Sequence, residues 1–399
     1  MIAADLLAGV RVLDLTNVLA GPFAGYQLAL MGAEVIKVEV PGSGDLARSL
    51  GADPELSARG LGISFLAQNS AKRSMTINLK HPRGQEVFRR LVSSADVLLE
   101  NFRPGVMERL GLGWDELRML RPELVYCAVS GFGSTGPMRD LPAYDQIVQG
   151  LSGVMSTTGT PETAPLRTGF PVCDTLGGFA AAFAVSSALV RRQRTGQGCH
   201  LDVSMLETAL VAMGWVVSDF LVAGQHPVPM GNENKTAAPS GTFRTADGPL
   251  NIAANKQEQF EVLLKVLGRE ELLSDPRFAG REERKRHRAE LRAVLEETLA
   301  TRGADEWVAR LAGTGVPAAA VLTVPEALDL PQVHERGLLN EVRIEERTVR
   351  VLGSSVHVDG APVAPSAGPP LLGEHTRAEL RALGYDDDAI DGLYREGAL

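Results

Sequence analysis

The chain has 399 residues, 44% hydrophobic and 22% charged, proportions of an ordinary globular protein with enough apolar material for a sizeable core. That length exceeds one ordinary core, so two domains are expected, one of them discontinuous. A net charge of −9 argues against general nucleic-acid binding but allows a local basic pocket, and the cysteines (Cys127, Cys173, Cys199) form no CxxC pair and no disulfide framework.

The segment Met1 to Leu15 lacks the basic start and cleavage site of a signal peptide, so a cytoplasmic location is expected. Gly9 to Leu15 reads as a first strand, Pro22 to Gly32 as a helix, and Ala33 to Glu39 as a second strand rich in β-branched residues. Pro82 to Ala95 has the pattern of an amphipathic helix with proline at its start. Asp96 to Glu100 follows as a third strand and Leu124 to Ser130 as a fourth. Strands alternating with helices at this spacing predict a parallel α/β sheet. The longest apolar run, Leu176 to Val190, is broken by glycine and serine; it is too short for a bilayer and predicts a buried helix, with no membrane partner. After about residue 215 the pattern changes. Pro227 to Gly241 reads as a polar connector and Gln257 to Leu311 as mostly helical. Ala318 to Leu322 is a candidate strand after a turn at Gly315-Val316-Pro317, Pro362 to Pro370 an extended segment, and His375 to Leu383 a last helix.

Several motifs are weak on inspection. Gly131-Phe132-Gly133-Ser134-Thr135-Gly136 fits GxGxxG after a strand and raises a nicotinamide-dependent oxidoreductase as a rival. Pro137 and Pro142 follow, so the helix that motif needs does not open there, and a mobile loop over a pocket is expected instead. There is no GxxxxGK[ST] and no GxSxG. The seven histidines are scattered from His81 to His375 without metal-ligand spacing, so no metal site is expected. The mixed-sign run Arg281 to Arg292 predicts a solvated helix face. Asp174 stands before the small-residue run Thr175-Leu176-Gly177-Gly178. An aspartate there serves as an N-cap. The helix dipole would also hold it ionised, and an ionised carboxylate can attack an activated acyl group. Glycines behind it would let a bulky thioester reach the backbone.

Many short pieces then accumulate in one order: Val12-Leu13-Asp14-Leu15-Thr16, Leu19-Ala20-Gly21-Pro22, Gly32-Ala33-Glu34-Val35-Ile36-Lys37-Val38-Glu39 and Pro41-Gly42-Ser43-Gly44-Asp45. They continue with Asn69, Lys72-Arg73-Ser74, Glu100-Asn101-Phe102-Arg103-Pro104-Gly105, Tyr144-Asp145, Arg194-Thr195-Gly196-Gln197-Gly198 and Leu372-Gly373-Glu374-His375-Thr376. In this order the chain resembles the class III (family III) CoA-transferases, which include formyl-CoA transferase, carnitine CoA-transferases and the related 2-methylacyl-CoA racemases. The resemblance implies an α/β fold with a Rossmann-like large domain, residues 1–215 with 335–399, and a smaller α+β domain, residues 225–330, joined through linkers 216–224 and 331–334. It also implies a homodimer of interlocked rings.

The resemblance places the nucleophile at Asp174 and implies acyl-CoA and a carboxylic acid as substrates, with no permanently bound cofactor. Coenzyme A contacts would fall on Leu19, Ala20, Lys72, Arg73, Asn101, Phe102 and Arg109. Basic side chains suit its phosphates, and Phe102 its adenine. Backbone N–H groups at Gly133 or Gly136 would stabilise oxyanions. The racemase branch works with a histidine beside an aspartate. Here the pair is Tyr144-Asp145, and a phenol of pKa ~10 suits proton exchange poorly, which favours transferase over racemase and leaves Tyr144 to orient the acyl oxygen or line the pocket. Asn234 to Pro239 lacks the glycine run of formyl-CoA transferases, so formyl and oxalate are not the favoured pair.

Overall fold

Four of the apolar runs become central strands because they are buried on both faces. The computed structural model describes residues 4–399. Its strands β1 (Arg11–Asp14), β2 (Glu34–Glu39), β3 (Arg73–Thr76), β4 (Val97–Glu100), β5 (Val125–Ser130) and β6 (Cys199–Ser204) form one sheet in the order β3-β2-β1-β4-β5-β6. Every pairing is parallel, for example Val12 with Val35 on one side and Val97 on the other. Alternate side chains fill two cores. Leu13, Ile36, Leu98 and Tyr126 pack with Phe88 and Leu91 on one face, and Val12, Val35, Leu99 and Val125 with Ala24, Leu28 and Val185 on the other.

The sequence reading omitted β3 and β6. β3 is Arg-Ser-Met-Thr, whose polar groups bond to residues distant in sequence (Ser74 Oγ to Glu39 Oε2, 2.7 Å), and β6 is an edge strand alternating exposed and covered positions. The helix expected to be last, Thr376–Ala382, is followed by Asp387–Arg395, which buries Ile390 and Leu393. The run Leu176 to Val190 belongs to a longer helix, Val172–Thr195, hereafter the long helix. With 24 residues it is long and apolar enough to cross a membrane by length and composition, contrary to the sequence reading. Nor is it simply buried. Ala181, Val185 and Leu189 face the core, while Phe179, Phe183 and Val190 are exposed.

The chain divides into two compact units. The first holds the sheet and comprises the described residues up to Val154, with 167–225 and 331–399. Residues 216–224 are no bare linker, since Gly214–Ala223 is helical, and 331–334 fall in the helix Pro331–Glu335. The second unit comprises 155–166 and 226–330. An antiparallel sheet of β7 (Ser240–Arg244), β8 (Pro249–Ala253) and β9 (Ala318–Ala320) supports helices through Phe243, Leu250, Phe260, Leu264 and Trp307. Its run Arg281 to Arg292 is less solvated than predicted. Arg284 is buried and donates to the Ala238 carbonyl at 2.9 Å, and Arg292 pairs with Glu233.

Candidate active site

An open parallel sheet binds ligands beyond the carboxyl ends of its strands, where the strand order reverses. In this sheet that point lies between β1 and β4. A cavity of about 260 Å³ opens there, lined by Asn17–Ala20 after β1, Asn101–Pro104 after β4, and Val129–Phe132 at the end of β5. Arg139, Leu141–Tyr144, Asp174 and Met205 complete it. A side cavity of about 230 Å³ shares Phe102, Arg103, Ser130 and Arg139 with it.

Glycines bring Asp174 to this place. The first helix, Ala20–Leu30, packs on the long helix so closely that a Cβ on Gly178 would stand 2.6 Å from the Ala20 carbonyl oxygen. A Cβ on Gly177 would stand 3.0 Å from the Met205 side chain. The long helix therefore sets its first turn beside the N-terminus of the first helix. Ala20 and Gly21 there have no intrahelical acceptor for their N–H groups.

Asp174 is not the N-cap. Pro171 holds that position without a side-chain cap, and Asp174 sits in the first turn. The capping is done from outside by Asp145, the first residue of the helix Asp145–Leu151. Its Oδ1 accepts the Cys173 N–H at 2.8 Å and lies 3.4 Å from the Asp174 nitrogen. Gln149 Nε2 donates to its Oδ2 at 2.6 Å, and Gln149 Oε1 in turn accepts the Thr168 N–H. Asp145 is thus a functional residue whose role the sequence reading missed; its only local signal was its place beside Tyr144. The Asp174 carboxylate itself accepts no hydrogen bond among the described residues. Burial, with the Asp145 charge adding to it, pushes its pKa up to about 7. The expectation that the dipole holds it ionised is corrected, because desolvation and the neighbouring carboxylate outweigh the helix terminus. A carboxylate with that pKa is more basic than a solvated one, and so a stronger nucleophile once ionised.

The predicted contact residues separate into groups. Leu19, Ala20, Asn101, Phe102 and Tyr144 line the cavity. Asn101 spends its amide on the opposite loop, accepting from the Asn17 N–H and donating to the Asn17 carbonyl, both at 2.8 Å. Tyr144 is 66% exposed, so its ring is not core packing. Lys72 is buried. Its Nζ lies 2.8 Å from Asp14 Oδ2 and from the Pro22 carbonyl, so it has no charge to offer a phosphate. Arg73 begins β3, at the end of the sheet away from the cavity, with its Nε on Glu379 at 2.5 Å. Arg109 is exposed and lines neither cavity. The cations that do line both are Arg103 and Arg139; Arg103 makes no ion pair among the described residues.

Gly133 and Gly136 also fall outside the main cavity. Both have positive φ, but the Gly133 N–H is taken by Ser130 Oγ at 2.9 Å. Ser134 is bound through its N–H and hydroxyl to Asp202, and the Gly131 carbonyl accepts from Leu206. The expected mobile lid is an anchored loop, and the helix after it begins only at Asp145. No cluster of His, Cys, Asp or Glu suited to a metal ion occurs among the described residues.

The profile of CoA-transferase family III matches residues 7–376. The chain is 35% identical to the succinyl-CoA:glutarate CoA-transferase of Mus musculus, over 98% of this chain and 90% of that one. It is 39% identical to the acetyl-CoA:oxalate CoA-transferase of Acetobacter aceti, over 88% and 89%. It is 38% identical to the succinyl-CoA–D-citramalate CoA-transferase of Chloroflexus aurantiacus, over 96% of each. Among solved structures, a CAIB/BAIF family protein from Brucella suis superposes with a TM-score of 0.84 at 35% identity, covering 94% of this chain and 99% of that one.

Proposed function

The chain belongs to CoA-transferase family III and is a CoA-transferase; from that premise we propose that Asp174 is its covalent nucleophile and that its acceptor is a short dicarboxylic acid. One observation carries the nucleophile: a half-buried carboxylate without a hydrogen-bond partner faces the switch-point cavity beside the N-terminus of the first helix. The acceptor class is supported by the relatives named above, whose acids (glutarate, oxalate and citramalate) are all dicarboxylic, glutarate and citramalate ahead of the oxalate that Asn234 to Pro239 disfavours; succinyl-CoA, named in two of the three, is the favoured donor.

The ionised Asp174 oxygen attacks the thioester carbonyl. The C–S bond breaks, coenzyme A leaves as a thiolate, and a mixed anhydride remains. The thiolate then attacks the aspartyl carbonyl and expels the donor acid as its carboxylate, leaving an aspartyl-CoA thioester. The acceptor carboxylate attacks that carbonyl, displacing the thiolate. The thiolate finally attacks the acceptor's carbonyl, giving the new acyl-CoA and free Asp174. One thioester replaces another, so no nucleotide or permanently bound cofactor is needed. Each tetrahedral intermediate carries an oxyanion, and the N–H groups of Leu19 and Ala20 serve it in place of Gly133 and Gly136. Arg103 and Arg139 take the phosphate-binding role expected of Lys72, Arg73 and Arg109. Tyr144 lines the acyl end.

The homodimer belongs to the same proposal. Phe183, Trp215, Leu221 and Val222 are exposed large apolar groups in the first unit, more than a solvated face needs, and a partner chain would cover them. Its interlocked form rests on the family resemblance.

The test is incubation with succinyl-CoA and a panel of free acids, read by mass spectrometry. Transfer gives the acceptor's CoA ester and succinate in equal amounts. Hydrolysis alone, or solvent deuterium entering the α-carbon without transfer, would overturn the reading.

A further inference from the structure

The loop that enters the first helix contains a residue in an unfavourable conformation. Val18 has φ of +68°, in the left-handed region that a β-branched side chain resists. Val18 and its neighbours Leu19 and Ala20 line the cavity. Such a conformation persists only where the surroundings impose it.

The surroundings are buried charges to which the reaction assigns no role. Asp45 Oδ1 accepts the Val18 N–H at 2.9 Å and the Ala47 N–H at 2.9 Å. Its Oδ2 forms an ion pair with Lys37 Nζ at 2.9 Å, and Lys37 donates to the Thr16 carbonyl at 2.7 Å. From the other side Asp14 accepts the Thr16 N–H at 3.0 Å, and Lys72, paired with Asp14, holds the Pro22 carbonyl. Asp45 and Lys37 are 1% and 0% exposed, and neither lines the cavity. The chain is thereby gripped at Thr16, Val18 and Pro22. Leu19, Ala20 and Gly21 are left with no acceptor for their N–H groups among the described residues.

We propose that Asp45 and Lys37 are positioning residues: as a buried ion pair they clamp Val18 in the left-handed conformation, so that the Leu19 and Ala20 N–H groups stand where the oxyanion forms. The assignment rests on the transferase reading for its chemistry, but the conformational part can be checked without turnover. Removing the clamp should affect the transition state more than the bound ground state.

Two variants test it: Asp45→Ala, and Lys37→Met/Asp45→Ala, which removes both charges and leaves neither buried alone. Each should lower kcat at least ~10-fold while KM for the acyl-CoA moves less than ~2-fold. Adding Val18→Gly should restore most of the lost kcat, because glycine takes positive φ without a clamp. A crystal structure of the folded variant should show Val18 out of the left-handed region. Variants that keep φ of Val18 positive, that lose stability with unchanged kcat per folded molecule, or that Val18→Gly fails to rescue would overturn the proposal. A wild-type enzyme without transfer activity would instead refute the functional reading and leave the crystallographic test standing.

Discussion

Replacing Asp174 by asparagine should abolish transfer and at the same time stabilise the protein at neutral pH. The free carboxylate is raised from 3.8 to about 7, chiefly by burial and further by Asp145. A shift of that size corresponds to about 4 kcal/mol of folding free energy lost when the group must be ionised in the folded state. The sign follows from proton binding. Between the unfolded and folded values the native state holds the extra proton, so the protein loses stability as pH rises through this window. Below pH ~4 the carboxyl is neutral in both states and costs nothing. Asp174→Asn removes that dependence while keeping the side-chain volume. Urea denaturation of the ligand-free protein from pH 4 to 8 is the assay. The variant should exceed the wild type by a few kcal/mol at pH 8, with the difference shrinking towards zero near pH 4. A constant difference across the range, or a variant less stable at pH 8, would refute the claim that the nucleophile is held in a desolvated, repulsive place.

Three further outcomes follow. With the ligand-free enzyme, kcat/KM for acyl-CoA should fall on the acid side with an apparent pKa near 7, and Asp145→Asn should move that limb to lower pH because one neighbouring negative charge is gone; an unmoved limb would detach Asp145 from Asp174. Gly178→Ala puts a methyl 2.6 Å from the Ala20 carbonyl, so it should cost about 1–3 kcal/mol in thermal unfolding and depress kcat, whereas an unchanged Tm would deny the close helix contact. Arg103→Gln should raise KM for the acyl-CoA roughly tenfold, the loss of one charge-assisted contact, while Lys72→Met should act on stability and not on KM alone.

The parts of the fold that were legible are those whose signal is local. β1, β2, β4 and β5 are nearly continuous apolar runs because both of their faces are covered. β3 was not, since its arginine, serine and threonine find their partners across the fold, Arg73 on Glu379 and Thr76 on Thr376. The same distance effect misled the site reading. Lys72 sits 58 positions from Asp14, and nothing near Lys72 marks it as buried; the available hint was a lone aspartate closing the apolar strand Val12-Leu13-Asp14, a charge that must find a partner inside. Asp174 stands before a small-residue helix, which by itself fits an N-cap; the family resemblance singles it out, and the structure sets it on the cavity wall. Asp145 is legible in the sequence only as the partner of Tyr144, because its bond to Cys173 spans 28 residues and caps a helix whose own N-cap position is a proline. The cavity's real cations, Arg103 and Arg139, come from loops after β4 and β5, which only the sheet order brings together.

Borohydride trapping of the enzyme during turnover tests the acylated Asp174 most directly. Reduction of an aspartyl-CoA thioester would leave homoserine at position 174, found by peptide mass spectrometry only when acyl-CoA is present. An unmodified aspartate there, from enzyme that is transferring CoA at full rate, would contradict covalent catalysis at this residue.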